Sequence, residues 1–206
     1  MAQDRAKATR RSLIQAATAT IRRQGYTATT IDDICKHAGV TKGAFFHHFK
    51  TKEALAEACL EAWDDMAAAM EHAAPFQKMP VPRERVFGYM EFFTDVFTSP
   101  ETLRSCLAGT TAQEVSDTNP SLRSAANRCF ENAEKRFQVL LDEAFRGAGR
   151  HIDTASLAAL WIATIQGSFI LSKASQDPSV IRSNLEHVRR YIVSLLPRGQ
   201  GKKEGR

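Results

Sequence analysis

Apolar residues recur along this chain at intervals of three and four, and no stretch alternates with period two, so the pattern predicts helices throughout and an all-α protein. Leu13, Ile14, Ala17 and Ile21 form one face of a first helix from about Arg5 to Gln24, and Gly25 stands where a left-handed turn would end it. In "TTIDDICKHAG", Thr30 is placed to cap a second helix with Asp33 three residues on. Ile31 and Ile34 are its inner face and Gly39 its stop. Val40 and Thr41 make a tight connection to a third helix, Lys42 to His48, and Thr51 caps a much longer fourth that reaches toward His72. A short helix, a glycine turn and a second short helix make the helix-turn-helix pattern.

Past the Pro-rich "APFQKMPVP", the same periodicity predicts five more helices: about Arg83 to Thr98, Glu101 to Val115, Pro120 to Arg146, Thr154 to Ser175 and Pro178 to Leu196. Pro120 and Pro178 fall in first turns, where a missing N–H costs nothing. The expected organisation is a DNA-binding module over residues 1–52, then a helical domain over 53–196 entered within the fourth helix, with a Gly-rich, charged and disordered tail over 197–206.

Charge changes this picture, because it is unevenly spread. Residues 1–52 hold 10 Lys and Arg against 3 Asp and Glu, whereas the remainder holds 18 against 20. A basic first quarter points to a polyanion, and to nucleic acid ahead of an acidic membrane. Cys35, Cys59, Cys106 and Cys129 are widely spaced with no C-x-x-C pair, and read as free thiols in the cytoplasm. The N-terminus lacks an apolar signal-peptide run. The run from Leu157 to Leu171 is shorter than the roughly 20 residues that span a bilayer and contains Gln166, so it reads as a buried helix and no membrane partner is expected.

On the third helix, Phe45 and Phe49 lie four apart and face the inner sides of the first two helices as core. Lys42, Ala44, His47 and His48 occupy the remaining arc, and Lys52 follows at the start of the fourth helix. Aromatic anchors would hold the helix while a small and cationic arc is pressed into the major groove. The segment "TKGAFFHHFKTKEAL" resembles the signature of the tetracycline-repressor-like (TetR) family of bacterial regulators, and the match extends upstream through "LIQAATATIRRQGYTATTIDDICKHAGV", about residues 10 to 55 in all. That resemblance implies that Thr41, Lys42, Gly43, Ala44 and His47 approach bases, and that Thr30, Phe46, His48 and Lys52 face the DNA backbone. Two positions depart from the family pattern. Phe46 stands where a tyrosine is usual, removing a phenolic hydrogen bond, and Asp32 stands where many members carry a basic residue. Asp32 is expected to complement the dipole of the second helix.

In the second domain, Trp63, Met66, Met70, Phe87, Met90, Phe93, Phe97 and Phe130 supply large adaptable surface beside the polar Thr110, Gln113, Asn127 and Gln166. Most of this is core composition; with the family resemblance it implies a mostly apolar pocket for a small-molecule effector. Ala155, Ala159, Ala163 and Gly167 form a small-residue stripe, and Ile181, Leu185, Val188, Ile192 and Leu195 a packed seam, which suggests a homodimer through helices 8 and 9, with packing inside one chain as the alternative. No G-x-S-x-G, P-loop, dinucleotide fingerprint or zinc-ligand spacing is present, and adjacent His47 and His48 diverge on a helix, so neither catalysis, cofactor nor metal is expected. The resulting expectation is a ligand-responsive DNA-binding regulator, in this family most often a repressor, that binds a palindromic double-stranded operator; the alternative is a ligand-binding or adaptor protein with a vestigial DNA-binding module, against which the intact basic arc argues.

Overall fold

The computed structural model describes residues 2–99, 105–146 and 152–197. Among these residues it is all-helical: α1 (Ala2–Gln24), α2 (Ile31–Ala38), α3 (Lys42–His48), α4 (Lys52–Ala73), a 3-10 turn (Pro75–Lys78), α5 (Pro82–Thr98), α6 (Leu107–Val115), α7 (Pro120–Phe145), α8 (Thr154–Ser175) and α9 (Ser179–Leu195). The expected tail from 198 onward lies outside the described residues.

The helix ends follow local chemistry. Thr30 and Asp33 form a reciprocal capping box on α2, and Gly39 closes that helix in the left-handed region at φ 67° with its N–H on the Cys35 and Lys36 carbonyls. Thr41 caps α3 through Ala44 N–H, and Thr51 accepts from Ala54 N–H at the head of α4. Three expectations are corrected. The 3-10 turn occupies the Pro-rich loop, where Phe76 is buried. Pro178 is the N-cap of α9 rather than its first helical residue. Finally, α6 begins at Leu107, with extended Cys106 as N-cap, rather than near Glu101. Its delayed start has a long-range cause: the Arg22 guanidinium donates to the Ser105 carbonyl from Nε at 3.1 Å and Nη2 at 2.8 Å, and Ser105 Oγ donates back to the Arg22 carbonyl. Residues 101–104 of the expected helix lie outside the described residues.

By packing, the chain forms two compact units, Met1–Ala69 with Ser105–Asn132, and Met70–Arg104 with Ala133–Arg206. The core of the first joins Leu13, Ala17 and Ile21 of α1, Ile34 of α2, Phe45 of α3, Leu55 and Leu60 of α4, Leu107 of α6 and Leu122 of α7. The helix-turn-helix therefore rests on α6 and the first half of α7 as well as on α1 and α4. In the second unit, Tyr89 stacks on Phe137 with ring centroids 4.4 Å apart, and Trp161, Met90 and Val86 complete a buried, largely aromatic centre.

Helix α8 is long and apolar enough to cross a bilayer by length and composition alone. Its Leu157, Trp161, Ile165, Ser168, Phe169 and Ser172 face the interior of the second unit, as a core helix's would. Its other side leaves Leu160, Ile170 and Leu171 exposed. On α9, Ile181, Leu185, Val188 and Ile192 are all buried within the chain, where α9 packs on α5 and α8. Four of the five seam residues read in the sequence are thus used internally, with Leu195 half-buried, and the small-residue side of α8 is the outward one.

Candidate nucleic-acid interface

Helix α3 has only seven residues, too few to hold itself together in water, so its position depends on packing. Phe45 is fully buried and Phe49 nearly so, with ring centroids 6.2 Å apart; the Arg10 guanidinium lies over Phe49 at 5.2 Å. Anchored in this way, the helix turns Thr41, Lys42, Gly43, Phe46 and His47 outward, with Ala44 and His48 half-buried. Phe46 is 52 % exposed, a large ring kept in water by a fold that buries its neighbour Phe45. A Cβ placed on Gly43 would meet only Thr41 Oγ1, at 3.7 Å, so nothing inside the chain requires glycine there.

The electrostatics of this face are specific. Lys42 Nζ lies 2.8 Å from Asp32 Oδ1, and the ion pair holds the Lys42 ammonium above its ordinary range, chiefly through the hydrogen bond. The His47 and His48 rings meet edge-on at 5.0 Å. Desolvation first, then the His47 and Arg10 charges, push His48 below the usual imidazole value. Thr30 donates its hydroxyl proton to Asp33 Oδ2 at 2.7 Å while accepting from Asp33 N–H.

Lys52 is placed differently from the rest. Its ammonium donates to the carbonyls of Tyr26 at 2.9 Å and Thr29 at 2.8 Å, and sits over the Tyr26 ring at 4.2 Å. Two of its three protons are therefore spent tying the α1–α2 turn to the start of α4. On the same turn, Glu114 of α6 accepts from Thr27 N–H at 2.8 Å beneath Gly25, whose φ of 92° requires glycine. Lys52, Arg22 and Glu114 are structural supports that the sequence did not disclose, since their partners lie 23 to 87 positions away.

The residues read as effector contacts are divided between the two units. Trp63, Met66, Thr110, Gln113, Asn127 and Phe130 belong to the first unit; Met70, Phe87, Met90, Phe93, Phe97 and Gln166 belong to the second. Trp63 carries the Arg22 guanidinium 4.6 Å above its ring, and Phe130 packs on the first core. Met66 is exposed, as are Gln113, bonded to the Gly109 carbonyl, and Asn127, bonded to Glu131. In the second unit Phe93 and Phe97 stack at 5.6 Å, with Phe169 edge-on to Phe97. Among the described residues Trp161 Nε1 and Ser172 Oγ are buried without a hydrogen-bond partner. No group of three His, Cys, Asp or Glu among the described residues could hold a metal ion.

A core-anchored second helix of a helix-turn-helix, presenting Lys42, His47 and a bare glycine outward, defines a DNA-binding regulator. The family model described as bacterial regulatory proteins, tetR family, matches residues 13–59, and that of the LmrA/YxaF-like transcriptional regulator C-terminal domain matches residues 82–187. The transcriptional regulator AcuR of Cereibacter sphaeroides is 27 % identical over 89 % of this chain and 84 % of its own. The HTH-type transcriptional repressor DhaR of a Mycobacterium species is likewise 27 % identical, over 91 % and 92 %. A solved TetR regulator from Chloroflexus aurantiacus superimposes with a TM-score of 0.82 at 23 % identity, covering 94 % of this chain and 98 % of that one. The chain belongs to the TetR family of bacterial regulatory proteins and is a ligand-responsive DNA-binding transcriptional regulator.

Proposed function

We propose that the protein represses transcription by binding a roughly palindromic operator as a homodimer and is released by a small-molecule effector, acting in the cytoplasm where its DNA lies. Thr41, Lys42, Gly43, Ala44 and His47 approach base edges in the major groove, while Thr30, Phe46, His48 and the remaining proton of Lys52 meet the sugar-phosphate backbone. The carrying observation is the outward arc of α3: every expected base-approaching residue on it is exposed or half-buried, while Phe45 and Phe49 are buried. Two copies would place two such helices about 34 to 36 Å apart, one turn of DNA. The relatives' names support this reading, since DhaR and the Escherichia coli NemR are both named repressors.

The effector reading rests on the aromatic centre of the second unit, where Phe93, Phe97 and Met90 offer apolar contact and the unpartnered Trp161 Nε1–H a hydrogen-bond donor. Trp63, Met66, Met70, Phe87, Thr110, Gln113, Asn127, Phe130 and Gln166 remain its further candidate contacts. Helix α4, about 33 Å long for its 22 residues, contributes to both units and is a natural carrier of the signal. An effector favouring the DNA-incompetent state 100-fold would shift the balance by about 2.7 kcal/mol.

The test is binding of full-length protein to the DNA upstream of its own gene, followed by fluorescence anisotropy. Sequence-selective binding that weakens steeply with salt is expected. Replacing Lys42 and His47 together by alanine should abolish the selectivity; unchanged operator preference would remove them from the interface.

A further inference from the structure

The acidic residue in the DNA-facing surface calls for an explanation, because an exposed carboxylate beside phosphates is repelled. The helix end accounts for it only in small part: Asp32 stands in the first turn of α2, where a carboxylate complements the dipole, but Asp33 closes the capping box by accepting from both the N–H and the hydroxyl of Thr30. Nor is stability the reason, since the Lys42–Asp32 pair is 60 % and 67 % exposed, and such pairs contribute little. Asp32 instead bridges the second residue of α2 to the first of α3, presenting an acceptor and a donor side by side 2.8 Å apart on the surface offered to DNA.

Resting on the proposed base-approaching role of Lys42, we propose that Asp32 and Lys42 act as one unit that reads a G·C base pair in each half-site. The major-groove edge of that pair shows guanine N7 and O6 as acceptors and cytosine N4 as a donor, the complement of an ammonium next to a carboxylate. The unit carries no net charge, so it adds no attraction for arbitrary phosphates, and any contact it makes is specific. An A·T pair in the same place offers its donor on the purine and an acceptor with a methyl group on the pyrimidine, so the carboxylate would be left desolvated against an acceptor. Asp32 thereby exchanges phosphate affinity for discrimination.

The experiment selects duplexes from a randomised library with full-length wild-type protein, then measures Kd for each single-base-pair substitution with wild type, Asp32→Ala, Asp32→Asn and Lys42→Ala. Because both side chains are exposed, unchanged melting temperatures are expected. Wild type should prefer G·C at one position per half-site by roughly 5- to 150-fold. Both Asp32 variants should lose most of that preference alone, keep the others, and show a steeper salt dependence as Lys42 turns to phosphate. A uniform gain across every duplex, with the G·C preference intact, overturns the proposal and leaves Asp32 a simple repeller. Absence of any G·C preference in wild type overturns it too. If Lys42→Ala keeps every wild-type preference, the underlying role of Lys42 fails as well, an outcome the Asp32 variants cannot mimic.

Discussion

Lys52 and Gly43 show how single residues divide between supporting the fold and standing outward from it. The Lys52 ammonium closes the α1–α2 turn through the Tyr26 and Thr29 carbonyls, so Lys52→Met loses two charge-assisted hydrogen bonds. A loss of about 2 kcal/mol is expected, read as a fall of roughly 4 to 8 °C in Tm by calorimetry. Gly43 is the opposite case. Its Cβ would meet nothing closer than Thr41 Oγ1, and alanine favours helix, so Gly43→Ala should hold or raise Tm while weakening operator binding tenfold or more by blocking close approach. Equal operator affinity would show that Gly43 does not approach the groove. His48 adds a pH dependence. Its native pKa is lowered from 6.5, so the unfolded chain takes up the proton first; stability is complete above 6.5 and declines as pH falls below it. His48→Gln should flatten that decline in chemical denaturation between pH 7.5 and 5.5. The anchoring by Phe45 and Phe49 was legible because a four-residue interval shows itself in the sequence. The commitment of Lys52 was not, because its acceptors are backbone atoms 23 and 26 positions away and any residue type could supply them.

At the scale of elements, boundaries set by neighbouring residues were legible and boundaries set by distant ones were not. The spans of α3 and α8 agree with the reading because caps act within three or four positions: Thr41 on Ala44 and Asp153 on Ser156. The start of α6 was displaced because Arg22 holds Ser105 in an extended segment, an interaction across 83 positions. The cap of α2 provides a direct check: Thr30→Ala removes the hydroxyl that accepts from Asp33 N–H, keeps the backbone N–H that donates to the Asp33 carboxylate, and should cost about 1 kcal/mol. The contact of Glu114 with the Thr27 N–H makes α6 a prop for the same region. Glu114→Ala should therefore accelerate hydrogen exchange of the Thr27 amide several-fold while leaving the amides inside α8 unchanged. Equal Thr27 exchange would mean that α6 does not restrain the DNA-reading module through this bond.

The whole molecule contains more organisation than its linear order suggests, since α6 and the first half of α7 return to build the unit that carries the helix-turn-helix. Periodicity reports which side of a helix is apolar but not which partner covers it, which is why the α9 seam looked available and is in fact internal. What remains outward is the other side of α8, with Leu160, Ile170 and Leu171 exposed and Gly167 opening onto space. A monomer rarely leaves such a stripe uncovered, and a second copy would cover it symmetrically. Wild type should sediment at twice 22.9 kDa at micromolar concentration. Leu171→Asp, a surface change within about 0.5 kcal/mol for the isolated chain, should shift it to monomer. Gly167→Ala separates the two roles of the stripe: an added methyl favours the helix by up to about 1 kcal/mol, yet obstructs a close helix crossing. Its chain should unfold later in denaturant while its dimer dissociates more readily. Should Leu171→Asp remain dimeric and bind its operator as wild type does, the symmetric contact lies elsewhere, and the apolar side of α8 must be covered by a different partner.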